Sequence, residues 1–384
     1  MIWDLFIVVV KVVGVFAFLM LSVLFIIWLE RRVVAFMQTR IGPNRVGPFG
    51  LLQSLADGIK LFFKEDVRPS SADRILYPLA PVLMMVPAFL SVSVLPFGDH
   101  FGSERAQLTD LNVGLLFVLA MSSLQVYGIV LAGWASGSNY PLLGGVRSSA
   151  QMISYEIAQG LSIVGVLMYA GTLSAAGIVA AQHGDPIMGF IPRWYIVPQL
   201  PMFVVFLLAG IAETNRAPFD LPEAESELVG GYHTEYSGVK FALFFLAEYL
   251  NVITVSAVAT TLFLGGPDGP VIHGFLPWLW PIFWFVAKVY LFIFLFIWLR
   301  ATLPRLRFDR LMAIGWKYLI PVALTWVMVT GVVLTVNLGA VSRRTLYIGI
   351  GVVAAVLLLS LLVPTSSESK PSDSDRTAPG GSPS

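Results

Sequence analysis

The chain has 384 residues, 57% of them hydrophobic and 12% charged, with a mean hydropathy of +0.80. A soluble domain carries about 25% charged residues, so a water-exposed globule is excluded and a multi-spanning integral membrane protein is expected. There is no cysteine, the four histidines lie outside the apolar runs, and the net charge is +1. Together these exclude thiolate-held iron–sulfur clusters, cysteine zinc sites, disulfides and a nucleic-acid partner, and argue against a transmembrane haem. No metal site is expected.

Nine apolar runs have spanning length: Leu5–Leu29, Ile75–Pro96, Val113–Ala135, Ile153–Val179, Tyr195–Ala212, Phe241–Leu264, Pro277–Leu299, Leu319–Leu338 and Thr345–Val363. About twenty residues cross the roughly 30 Å hydrocarbon layer as helix, and lipid leaves no free backbone group satisfied. The expected fold is therefore an all-α polytopic membrane protein of nine transmembrane helices. The first run is too long for a signal-peptide core and lacks a basic start and a small-residue cleavage site, so it is read as a retained span. Lys and Arg cluster in the loops on one side of this arrangement, which predicts an N-out, C-in topology. Residues 1–364 read as a single membrane domain and 365–384, rich in Ser, Pro and Gly, as a disordered cytoplasmic tail.

After the first span comes the long loop Glu30–Arg74. Leu51, Leu55, Ile59 and Phe62 recur at helical spacing while Asp57, Lys60 and Lys64 lie on other faces. This predicts an amphipathic helix, resting in the headgroup plane or packed on another subunit. Pro43, Asn44, Gly47 and Pro48 predict tight turns between Arg40 and Arg45. Glu30-Arg31-Arg32 by itself reads as charge punctuation at the end of a span.

Glu156 stands at the start of the fourth span and Glu213 at the end of the fifth. A helix N-terminus stabilises a carboxylate, so Glu156 is explicable as a cap, whereas Glu213 has no such account. The loop that follows, residues 212–238, holds Glu213, Asp220, Glu223, Glu225, Glu227 and Glu235, with Arg216 as its single Lys or Arg. It reads either as a solvated acidic loop for a basic partner or as a folded acidic element, the latter suggested by Pro218, Phe219 and Pro222. Glu248 lies about 12 Å into the next span by helical rise. A carboxylate there costs about 2.5–3.5 kcal/mol when ionised, so it is protonated, paired or facing water. Lys288 in the following span puts a Glu248–Lys288 pair within reach. Arg300, Arg305, Arg307, Arg310 and Lys317 line the next loop, as expected for lipid or subunit docking.

Two of these loops, ERRVVAFMQTRIGPNRVGPFGLLQSLADGIKLFFKED (Glu30–Asp66) and AETNRAPFDLPEAESELVGGYHTEYSG (Ala212–Gly238), resemble the H subunit (mitochondrial subunit 1) of proton-translocating NADH:quinone oxidoreductase, respiratory complex I. The resemblance covers about Leu5 to Leu338; the ninth span and tail lie outside it. It implies a membrane-arm subunit of a bacterial cell (inner) membrane complex that forms much of a quinone chamber. The chamber residues it implies are Arg31, Arg32, Gln38, Arg40, Asp57, Lys60, Asp220, Glu223, Glu225, Glu227 and Arg300. It likewise implies a proton relay through Glu156, Glu213 and Glu248. It further implies that the chain holds no cofactor, with quinone as substrate and with iron–sulfur clusters, flavin and NADH on partner subunits. The implied neighbours are cluster-bearing peripheral-arm subunits, antiporter-like and small membrane-arm subunits, and membrane lipids. The alternative is the homologous membrane component of an energy-converting hydrogenase or other-donor dehydrogenase.

Overall fold

The computed structural model describes residues 2–98, 100–101, 104–105, 107–184, 193–220, 229–270 and 277–337. The expected ninth span and the tail lie outside these residues. The chain divides into two compact units, Met1–Val327 and Met328–Ser384.

In chain order the helices are α1 (Ile2–Met37), α2 (Gln53–Phe63), α3 (Leu76–Val92), α4 (Gly114–Ala135), α5 (Asn139–Ala170), α6 (Ala175–Gln182), α7 (Leu200–Glu213), α8 (Gly238–Phe263), α9 (Leu279–Thr302), α10 (Phe308–Ala313) and α11 (Ile320–Asn337). A π-helical turn, Ile314–Leu319, joins α10 to α11. A two-residue ladder pairs His100–Phe101 with Glu104–Arg105. Among the described residues, six helical stretches are long and apolar enough to cross a membrane, and α3 and α7 are shorter apolar helices.

The largest departure from the expected segments concerns the fourth. The helix begins at Asn139 and stops at Gly171, whose left-handed φ of 66° lets its N–H close on the Leu167 carbonyl. Ser174 then caps the separate helix α6, its hydroxyl accepting the Gly177 N–H at 3.2 Å. Asn139, Arg147, Ser148, Ser149 and Gln151 dilute the hydropathy at the start of α5, so the apolar run marked only its later part.

α8 is the buried axis of the first unit: 72% of its most apolar stretch is enclosed by protein, against 22% for α1. Helices approach closely where glycine allows it. A Cβ on Gly128 of α4 would sit 2.9 Å from the Met84 backbone of α3. One on Gly144 of α5 would sit 2.8 Å from the Gly231 backbone, which packs residues 231–233 against the bundle. The expected amphipathic helix is α2. Its Leu55, Ile59, Phe62 and Phe63 side chains face outward, the last 87% exposed.

Candidate functional site: two linked clusters of buried charge

The ends of α1, α7 and α9 and the start of α8 meet at one end of the bundle, beside α2. There Glu30, on the penultimate turns of α1, is buried. Tyr249 Oη of α8 donates to Glu30 Oε2 at 2.7 Å. Arg216 Nη1 donates to both carboxylate oxygens at 3.4 and 3.5 Å, and Arg300 Nη1 of α9 bonds the same Oε1. The Arg216 guanidinium also lies 4.1 Å from the centre of the Tyr249 ring, a cation–π contact. Arg216 reaches this position because Asn215 turns the chain out of α7 with φ 50°, a conformation that Asn tolerates better than most residues. Among the described residues, its Nε and Nη2 are buried without a hydrogen-bond partner.

One residue back on α8, Glu248 is buried and accepts from Tyr232 Oη at 2.6 Å. Glu248 also acts electrostatically on Arg216. Thus adjacent residues of α8 bind two clusters: Tyr249 faces Glu30, and Glu248 faces the 231–233 turn.

A second acid pair stands between α4, α5 and α7. Glu156 of α5 is half-buried and accepts from the Ser123 hydroxyl, with Ser122 Oγ at 3.5 Å. Glu213, the last residue of α7, is buried and within electrostatic reach of Glu156. A cavity of about 20 Å³ is lined by Ser122, Gln125, Gln159, Glu213, Asn251 and Thr254. Among the described residues, Glu213 Oε2, Gln125 Oε1 and Gln159 Oε1 are acceptors with no donor. A space of this size holds about one water, which could donate to two of them.

The residues of the Glu30–Asp66 motif form three separate contacts. Arg31 Nη1 donates to Asp57 Oδ2 at 2.5 Å, fastening α1 to α2, with Gln53 at 3.1 Å and Lys60 at 4.0 Å from the same carboxylate. Burial opposes ionisation of Asp57, but the Arg31 and Gln53 hydrogen bonds and the Arg31 and Lys60 charges outweigh it and hold the carboxyl below its ordinary value. Arg32 Nη1 donates to the Phe49 carbonyl at 3.1 Å, and its guanidinium lies over Trp28, Phe36 and Phe49. Arg40 Nε donates to Gln38 Oε1 at 2.7 Å in the exposed turn. In the acidic loop, the Asp220 carbonyl accepts from Arg305. Glu223, Glu225 and Glu227 lie outside the described residues.

Two readings of the sequence need revision. Lys288 does not meet Glu248: its Nζ donates to the carbonyls of Leu264, Gly266 and Asp268, sixteen or more residues further along, about 24 Å of helical rise. Glu30 is not punctuation but the hub of the charge cluster. The lone arginine of the acidic loop was the available signal, since an isolated Arg216 among carboxylates calls for a buried partner.

The sequence model of the NADH dehydrogenase family matches residues 10–331. The chain belongs to that family. It is 56% identical over 360 residues to the H subunit of NADH-quinone oxidoreductase from Frankia alni, covering 92% of this chain and 78% of the relative. It is 55% identical over 361 residues, with the same coverage, to the protein of the same name from Frankia casuarinae. Both loop motifs that carry the resemblance fall within the family match. Among the described residues of this family member, no three His, Cys, Asp or Glu side chains converge as metal ligands.

Proposed function

We propose that this chain is the membrane-arm subunit of a bacterial proton-translocating NADH:quinone oxidoreductase that forms much of the quinone chamber and passes charge from it to a chain of buried carboxylates. The observation that carries the reading is Arg216, a buried cation that bonds Glu30 and acts on Glu248 from the neck of the acidic loop.

Reduction of a quinone to a quinol takes two electrons and two protons. The electrons come from an iron–sulfur cluster of a peripheral-arm partner, which in turn receives them from NADH through flavin. Arg31, Arg32, Gln38, Arg40, Asp57, Lys60, Asp220, Glu223, Glu225, Glu227 and Arg300 belong to the chamber on the cytoplasmic side, and acids there supply the protons. Each proton withdrawn leaves a negative charge in a poorly solvated space. Unit charges 4 Å apart in an effective dielectric near 20 interact by about 4 kcal/mol, about three pKa units. A charge of that size redistributes the Arg216 and Arg300 contacts and raises the proton affinity of Glu248, then of Glu213 and Glu156. Proton transfers in antiporter-like partners follow. α2 lies in the lipid headgroup plane, its exposed apolar side chains turned to the hydrocarbon layer.

Glu248→Gln in the intact complex tests this. Assembly is expected to survive, because the amide still accepts from Tyr232, while NADH:quinone turnover and proton pumping fall at least tenfold together. Wild-type turnover and pumping in that complex would refute the relay.

A further inference from the structure

The far end of the bundle holds a second buried charge, which the relay does not use. Lys288 lies within the apolar helix α9 and is buried. All three of its ammonium protons are donated to main-chain carbonyls just past α8: Leu264 at 2.7 Å, Gly266 at 3.0 Å and Asp268 at 2.6 Å. The Trp194 ring centre is 4.6 Å from Nζ. The Asp268 carboxylate faces His183 Nδ1 at 3.6 Å and sits at the rim, its side chain 35% exposed. The cation is thus held by backbone dipoles and an indole, while the acid acting on it is shared and partly solvated.

Between this cation and the acids, buried polar residues recur along α8. Glu248, Asn251, Thr254 and Thr261 are all buried and are spaced by three, three and seven residues. Thr254 Oγ1 and Ser91 Oγ are 3.3 Å apart, beside the Glu213 cavity. Thr261 lies seven residues, about 10 Å of rise, beyond Thr254, and the hydroxyls between them, Ser256 and Thr260, are turned back onto the Val252 and Ser256 carbonyls of the helix itself. Beyond them, Gln182 donates to the Thr261 carbonyl at 2.9 Å and accepts the N–H groups of Tyr195 and Gly265 at 3.2 and 3.0 Å. An acid path that enters so deeply needs only a short wetting event to reach the other side.

We propose that Lys288 is a fixed positive plug that bars protons on the Glu213–Glu248 path from leaking to the end of the bundle opposite α2. The inference rests on the relay reading of Glu213. A backbone carbonyl cannot take up a proton, so the caged ammonium has nowhere to pass one and acts as a static charge. Fixed cations exclude protons from water-filled pores in this way. In an effective dielectric near 20, a unit charge about 10 Å away lowers proton occupancy roughly tenfold.

The test is passive proton conductance of the intact complex in sealed liposomes, with an imposed pH gradient and no substrate. Lys288→Arg, which keeps the charge, is expected to be as tight as wild type. Lys288→Gln, which keeps donors and loses the charge, is expected to leak about tenfold more while NADH:quinone turnover in detergent is unchanged. The double variant Lys288→Gln/Glu213→Gln is expected to be tight again, because the path itself is cut. A tight Lys288→Gln complex overturns the proposal, and so does a leak that the double variant retains, which would mean a frayed 264–268 loop. Lys288→Met carries the same two outcomes if Lys288→Gln does not assemble. Failure of the relay reading registers separately, as wild-type coupled turnover in Glu248→Gln.

Discussion

The two ends of the α8–α9 pair both bury charge in an apolar setting, and they neutralise it by different means. At the α2 end, Glu30, Arg216 and Arg300 are matched by one another and by Tyr249, all of them side chains on four separate segments. At the opposite end, Lys288 is matched by three carbonyls of one short loop. Side-chain partners can change protonation or rotamer, whereas a carbonyl cage has no alternative state. The first arrangement suits a site whose charge must respond to a reaction, and the second suits a charge that must stay in place.

The largest effect that sharpens this contrast is expected at Arg216. Its side chain is 11% exposed, and removing one partner of a buried charge network costs about 3–5 kcal/mol. Arg216→Met should therefore reduce the yield of intact complex on native gels several-fold. Full yield would mean that Glu30 is satisfied without it. Next comes Gln182→Leu at the opposite end, which strands the Tyr195 and Gly265 N–H groups at about 1–3 kcal/mol each. Thermal unfolding of the purified complex should shift down, with turnover per intact complex kept. Tyr249→Phe removes one hydrogen bond to a carboxylate, about 1.5–3 kcal/mol. Because the bond belongs to the responsive cluster, turnover should fall more than stability does, and the reverse order would place Tyr249 with the static contacts.

The smallest effect lies at the α1–α2 fastening. Asp57 is held below its ordinary value, so its pairing with Arg31 contributes stability above about pH 4 and loses it as the pH falls through the lowered folded value. The pair is exposed and worth at most about 1 kcal/mol. Asp57→Asn should raise hydrogen exchange in Gln53–Phe63 slightly at neutral pH, and the difference from wild type should vanish in acid once intrinsic rates are corrected.

Six long apolar helices among the described residues were legible because lipid demands long apolar runs, and Glu156, Glu213 and Glu248 stood out as carboxylates within or at the ends of those runs. The amphipathic spacing around Ile59 likewise marked α2. The features without a local sequence signal depend on distant pairings. Glu30 meets partners 186, 219 and 270 residues away, and no local pattern separates it from an ordinary charged helix end. Lys288 looked like a partner for Glu248 because helical rise gives depth but not the direction of a neighbouring loop. The start of α5 was lost because buried polar residues such as Gln151, whose amide donates to the Ala212 and Phe219 carbonyls at 2.8 Å, lower hydropathy without leaving the bundle.

The central claim is that charge created in the quinone chamber reaches Glu248. Reaction-induced infrared difference spectroscopy of the intact complex reads this directly, by following the carboxyl C=O stretch as the quinone is reduced. The account predicts a carboxyl band that appears on reduction in wild type and is missing in Glu248→Gln. A reduction spectrum with the same carboxyl bands in both complexes would contradict it.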